Sequence, residues 1–195
     1  YKRQGEDYPI IQNFSLTLKR GQKAALIGPS GAGKSTILQL ILGDLKPNTG
    51  TVTLDKINVL SLQKERSKLF SVLNQEPFLF NTTIYENLKM ANPDATADQM
   101  MEILEKVQLA DFINSLPKKL DTEVAEAGAR FSGGQKERLA LARVLLQDTP
   151  IVLLDEPTVG LDPLTEQKLL NLVFDVLKKK TVVWVTHHLQ GVKYM

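Results

Sequence analysis

Hydrophobic and polar positions change their period along this chain, and the changes mark out its elements. Phe14-Ser15-Leu16-Thr17-Leu18 alternates apolar and polar, the period of a half-buried strand. After a turn at Arg20-Gly21, the run Ala24-Ala25-Leu26-Ile27 predicts a strand buried on both faces. Glycines crowd the next stretch, and then Ile37, Leu38, Leu40, Ile41 and Leu42 recur at helical spacing until Gly43 offers a cap. Thr51–Leu54 and Phe70–Leu73 predict further strands.

From about residue 82 the pattern turns helical. Thr83-Ile84-Tyr85-Glu86 and Thr96-Ala97-Asp98-Gln99 have capping-box spacing. Met100, Met101, Ile103, Leu104 and Val107 follow as one apolar face. Residues 78–147 therefore read as a helical insertion. Afterwards come a buried strand at 151–154, a helix starting near Asp162-Pro163 with Leu169, Leu170, Val173, Val176 and Leu177 inward, and a strand at 181–186. Strands alternating with helices predict an α/β fold with a mostly parallel core sheet, an N-terminal β portion and an inserted helical subdomain.

Composition narrows the classes. With 195 residues, 43% apolar and 24% charged, the chain reads as one globular domain. Its 24 basic and 22 acidic side chains leave a net charge of +2, too little for charge alone to direct it to nucleic acid or anionic lipid. The absence of cysteine excludes disulfides, thiolate zinc sites and cysteine nucleophiles. The longest apolar runs fall far short of the roughly 18 residues of a membrane-spanning helix, so the fragment itself reads as soluble. Lys118-Lys119 and Lys178-Lys179-Lys180 read as solvated ends, and Trp184 as core.

The chemistry begins in the glycine-rich stretch. Gly28-Pro29-Ser30-Gly31-Ala32-Gly33-Lys34-Ser35 fits G-x-x-x-x-G-K-S, followed by Thr36. Its glycines let the backbone curl around an anion, several N–H groups converge, and the helix N-terminus favours negative charge. Lys34 is expected at the β and γ phosphates and Ser35 on magnesium. Ile151-Val152-Leu153-Leu154 ends in Asp155-Glu156. A parallel strand delivers such acids to the ligand crevice, where Asp155 is expected to hold metal through water and Glu156 to polarise the attacking water. Together the two motifs predict a nucleoside triphosphatase that uses Mg2+, and go no further.

Twenty residues before Asp155-Glu156 stands Phe131-Ser132-Gly133-Gly134-Gln135, which resembles the signature sequence of the ABC ATPases, with Phe131 where leucine is usual. Ser132 can cap the helix after it, and Gly133 and Gly134 leave its first N–H groups open to an anion. Gln75 resembles the glutamine of that family that contacts magnesium and couples the helical subdomain to the core. Val159-Gly160-Leu161-Asp162 is similar to its D-loop, and His187 to the switch histidine at the γ phosphate, leaving His188 as a surface side chain. Tyr1 matches the aromatic that stacks on adenine. The resemblance covers essentially the whole chain, 1–195. It implies a P-loop ABC ATPase fold trimmed at both ends, with a strand before Tyr1 and more sheet after His187.

Asp121-Thr122-Glu123-Val124-Ala125-Glu126-Ala127-Gly128 is similar to the segment by which ABC exporters touch their transmembrane helices, with Ala125 where glycine is usual. With Asn74–Ile84 and Thr186–Leu189 it resembles the CydC type of subunit, which pairs with a CydD-type partner in a bacterial thiol or haem exporter. The resemblance implies a transmembrane domain in the same parent chain, a place at the cytoplasmic face of the bacterial plasma membrane, and no nucleic acid partner. It implies work in pairs, as homodimer or heterodimer: the phosphate loop, Asp155, Glu156, Gln75 and His187 of one ABC domain hold ATP, and Ser132, Gly133 and Gly134 of a second close over its γ phosphate. Two other readings exist, a non-transport ABC ATPase acting as a clamp, and a P-loop kinase or GTPase. The second must set aside Gln75, the signature and His187 together.

Overall fold

The structure, a computed structural model, describes residues 10–124, 131–156 and 163–186. Tyr1, Ala125–Gly128, Asp162, His187 and His188 lie outside them.

In chain order the elements are β1 (Lys23–Ile27), α1 (Lys34–Leu42), β2 (Thr53–Leu54), β3 (Ile57–Asn58), α2 (Arg66–Leu69), β4 (Phe70–Leu73), α3 (Ile84–Lys89), α4 (Ala97–Lys106), α5 (Ala110–Ser115), α6 (Gly133–Gln147), β5 (Ile151–Asp155), α7 (Pro163–Val176) and β6 (Thr181–Thr186). One sheet has four strands in the order β1-β6-β5-β4, and β2 and β3 form a separate antiparallel pair. The α/β class and the parallel core follow the alternation of strand and helix patterns.

The chain divides into two compact units. The first comprises Tyr1–Phe70, Thr149–Asp155 and Lys179–Met195. In it β6 runs parallel to β1 on one side and to β5 on the other. Val152, Leu153, Leu154, Val182, Val183, Trp184 and Val185 are almost wholly buried, as continuous apolar runs in a parallel sheet should be. Trp184 is core, as expected. β1 departs from the expectation of burial on both faces: Lys23 to Leu26 are half-buried and Ile27 is exposed. It lies at the end of the sheet order, with β6 its neighbour.

A second departure concerns residues 14–18, which form no strand although they alternate. Phe14 and Leu16 are exposed. Alternation specifies a two-faced ribbon, but a strand also needs a hydrogen-bonding neighbour; among the described residues none pairs with this stretch.

The second unit comprises Ser71–Asp148 and Glu156–Lys178. Both expected capping boxes are formed, Thr83 with Glu86 on α3 and Thr96 with Gln99 on α4. In each the hydroxyl accepts the N3 amide and the N3 side chain accepts the cap amide, which satisfies two donors the helix leaves open. Met100 and Leu104 turn inward from α4, and Leu139 to Ala142 and Val144 to Leu146 from α6. On α7, Leu170, Val173 and Phe174 are buried, as is Leu177 just beyond it. Thr82–Ile84 is tied to Thr122–Val124 by Ile84 N–H to Thr122 O at 3.0 Å and Val124 N–H to Thr82 O at 2.8 Å. No helix among the described residues is long and apolar enough to cross a membrane.

Candidate active site

In the first unit the site begins with strand register. Leu26 on β1 and Asp155 on β5 are both level with Val185 of the intervening β6. The loop that follows β1 and the carboxylate that ends β5 therefore leave the sheet at one edge, where ligands bind in open α/β folds.

Gly28–Gly33 crosses from β1 to α1. Gly33 holds the N-cap position with φ 85°, and a Cβ there would stand 2.8 Å from Ile10 Cγ2. Both backbone conformation and packing thus demand glycine. Having no side chain, Gly33 offers no capping acceptor. The first-turn N–H groups of α1 meet no competing side chain, which fits an anion at this end. Lys34 is buried, and its Nζ donates to Gly28 O at 2.8 Å and to Pro29 O at 2.9 Å. Its own loop thereby holds the ammonium beside the Gly28–Gly33 backbone. Ser35 is exposed and Thr36 buried in the first turn. The exposed Ser35 hydroxyl and the buried Asp155 carboxylate are hard oxygen donors of the kind Mg2+ takes, usually one or two from protein and the rest from phosphate and water.

In the second unit Gln75 is exposed, and its Nε2 donates to Glu156 Oε2 at 3.1 Å. Glu156 has φ 51°, a left-handed conformation uncommon for a residue with a Cβ. The backbone turns sharply where it leaves β5, and this parts Glu156 from its neighbour Asp155.

The signature also lies in the second unit. Ser132 caps α6: its Oγ accepts Gln135 N–H at 3.3 Å, and Ser132 N–H donates to Gln135 Oε1 at 2.8 Å. Gly133 is exposed, with nothing within 4 Å of a Cβ built on it. Phe131 packs edge to face on Phe112 of α5, ring centroids 5.0 Å apart, which gives the larger side chain at this position a place. On α6, burial raises the Glu137 carboxyl above its usual range, with Arg138 opposing the shift, and burial lowers Arg143.

Two side chains near this site were not singled out in the sequence. Asn87 is fully buried on α3, and Arg143 donates to Phe78 O. For Arg143 the available signal was a charged residue interrupting the apolar run Leu139–Leu146; Asn87, which follows Glu86, gave none.

Residues 11–159 match the family described as ABC transporter. The chain belongs to that family. It is an ATP-hydrolysing domain of the exporter type. It is 52% identical over 184 residues to the glutathione/L-cysteine transport system ATP-binding/permease protein CydD of Bacillus subtilis, an alignment that covers 94% of this chain and 32% of that protein. It is 42% identical over 189 residues to the mitochondrial iron-sulfur clusters transporter ATM1 of Kluyveromyces lactis, covering 95% of this chain and 26% of the other. A solved bacterial Atm1-family ABC exporter with ATP bound superposes with a TM-score of 0.89 at 34% identity, over 97% of this chain and 34% of that one. The domain thus spans between about a quarter and about a third of these relatives. The CydC-type resemblance meets a relative named as the companion subunit, CydD.

Proposed function

We propose that this domain is the ATP-driven motor of a membrane exporter that works as a pair of ABC domains. The supporting observation is the shared level of Leu26 and Asp155 across β6, because a phosphate loop and a metal-binding carboxylate must serve one triphosphate. The backbone of Gly28–Gly33, with Lys34 and Thr36, binds the phosphates; Ser35, Asp155 and Gln75 hold Mg2+; Tyr1 stacks on adenine. When bound, Mg2+ offsets phosphate charge and polarises the γ phosphorus. Gln75 orients the attacking water, Glu156 takes its proton, and His187 steadies the γ phosphate; ADP and phosphate leave.

In the pair, Ser132, Gly133, Gly134 and Gln135 of the second domain cover the γ phosphate, with Asp162 at the seam. The open face of Gly133 supports close approach there. Closure then biases a two-state membrane domain of the parent chain, joined around residues 78–128 at the cytoplasmic face of the membrane. Exposed Phe78, Phe80 and Met90 support that attachment. The cargo is thiol-related or haem-related: two relatives are named for glutathione/L-cysteine and iron-sulfur cluster transport. The near-neutral charge argues against a nucleic-acid clamp.

The test is ATP-dependent uptake of radiolabelled glutathione or cysteine into inverted vesicles carrying the full-length transporter. Lys34→Ala should stop both hydrolysis and uptake. Continued hydrolysis in that variant would overturn the motor assignment, and hydrolysis without uptake of any thiol would overturn the thiol cargo, leaving the haem-related one.

A further inference from the structure

The segment following Gln75 is fastened from two sides, both within the second unit. Asn87 Oδ1 accepts Phe80 N–H at 2.9 Å, and its Nδ2 donates to Phe80 O at 2.9 Å and Thr83 O at 3.0 Å. That amide is wholly buried and satisfied at both ends, which leaves the turn at 80–83 a single backbone arrangement. From α6, Arg143 Nη1 donates to Phe78 O at 2.8 Å, and its guanidinium lies 5.2 Å from the centroid of the Phe80 ring. Phe78 and Phe80 meet edge to face at 5.2 Å.

Arg143 is a costly choice if its role is packing alone. It is part-buried between buried Ala142 and Val144, and its Nε is buried with no hydrogen-bond partner. An unmet buried donor destabilises the fold, a cost that a methionine would avoid. What only arginine supplies is a flat fork able to hold a backbone carbonyl and a ring face together. The helix that carries it starts at the Ser132 cap, and the loop it grips starts three residues after Gln75, whose amide touches Glu156.

We propose that Arg143 is a positioning residue for ATP hydrolysis: by fixing the Phe78 carbonyl and the Phe80 ring to α6, it ties the placement of Gln75 against Glu156 to the signature end of the same helix. The proposal rests on the reading that Gln75 and Glu156 act on the attacking water.

The test measures kcat and KM for ATP, with thermal unfolding, in the full-length transporter. Arg143→Met should lower kcat about tenfold while KM and the melting temperature hold. Arg143→Lys should recover part of the loss, since an ammonium can meet a carbonyl but lacks the planar fork. Phe80→Leu should lower kcat about threefold and add nothing to Arg143→Met. Wild-type kcat in Arg143→Met overturns the proposal, as does a loss matched by a fall in melting temperature or a rise in KM. Should Arg143→Met fail to fold, Phe80→Leu decides, and wild-type kcat there overturns it equally. Glu156→Gln separates the two claims. Full activity in that variant removes the site reading itself, whereas an inactive Glu156→Gln beside an unaffected Arg143→Met removes only the positioning role.

Discussion

Gln75 donates from Nε2 to Oε2 of Glu156 at 3.1 Å, across 81 positions of sequence. The amide thus sits on the carboxylate oxygen that, in the proposed mechanism, receives a proton from water. Glu156→Gln preserves shape and hydrogen bonding but has no basic oxygen. Turnover should fall by about 10²–10³-fold with ATP binding unchanged. Single-turnover hydrolysis beside equilibrium nucleotide binding would check this, and wild-type turnover would remove Glu156 from the role of base.

Lys34 should behave in the opposite way. Its ammonium is held by Gly28 O and Pro29 O, so Lys34→Met takes a cation from the proposed phosphate site and one donor from each of two loop carbonyls, of which Pro29 O keeps Ala32 N–H. ATP affinity should fall about a hundredfold, measured by titration calorimetry at fixed Mg2+. An unchanged Kd would exclude Lys34 from the phosphates.

Gly33→Ala adds one carbon that meets Ile10 Cγ2 at 2.8 Å at a position with φ 85°. Strain and overlap together should destabilise the domain by about 1–3 kcal/mol and weaken ATP binding. Chemical denaturation with wild-type stability would show that the loop does not need this geometry.

Ser132→Ala should cost about 1 kcal/mol through loss of the α6 cap. Ser132→Arg should in addition stop hydrolysis by the assembled pair without weakening ATP binding to the domain. Were binding by a single domain to fall with Ser132→Arg, the action of the signature on a partner's nucleotide would be refuted.

Glu137 gives a pH signature. Burial raises its carboxyl in the folded state, against Arg138. The folded domain therefore binds this proton more tightly than the unfolded chain. That contribution is complete below the ordinary carboxylate range and is lost as pH rises through the raised value. Glu137→Gln removes the group, so it should melt above wild type at neutral pH, with the gain vanishing in acid. A gain independent of pH would rule out titration as its cause.

Features legible in the sequence were those whose chemistry is local. A phosphate loop needs Gly33 and Lys34 at fixed spacing, and a capping box needs Thr83 three residues before Glu86; both follow from backbone geometry over a few residues. The alternation at 14–18 read as a strand because it reports facing and is silent about pairing. The exposure of Ile27 came from the place of β1 in the sheet order, which no short window encodes. Arg143 escaped notice because tertiary folding brings it the Phe78 carbonyl, and Asn87 because its partners are the backbone atoms of Phe80 and Thr83, which no side-chain pattern displays. Phe131 looked like a departure from a pattern until Phe112 gave it a neighbour.

The cap on α6 has one more implication. Ser132 Oγ spends a lone pair on Gln135 N–H, but a hydroxyl carries its own hydrogen as well. That hydrogen remains available to a phosphate oxygen. In the proposed pair, holding the helix and meeting a nucleotide would therefore be simultaneous duties of one atom, and assembly would not need to unwind the helix end. Threonine can keep both duties, whereas aspartate would retain the cap and turn the greeting into repulsion.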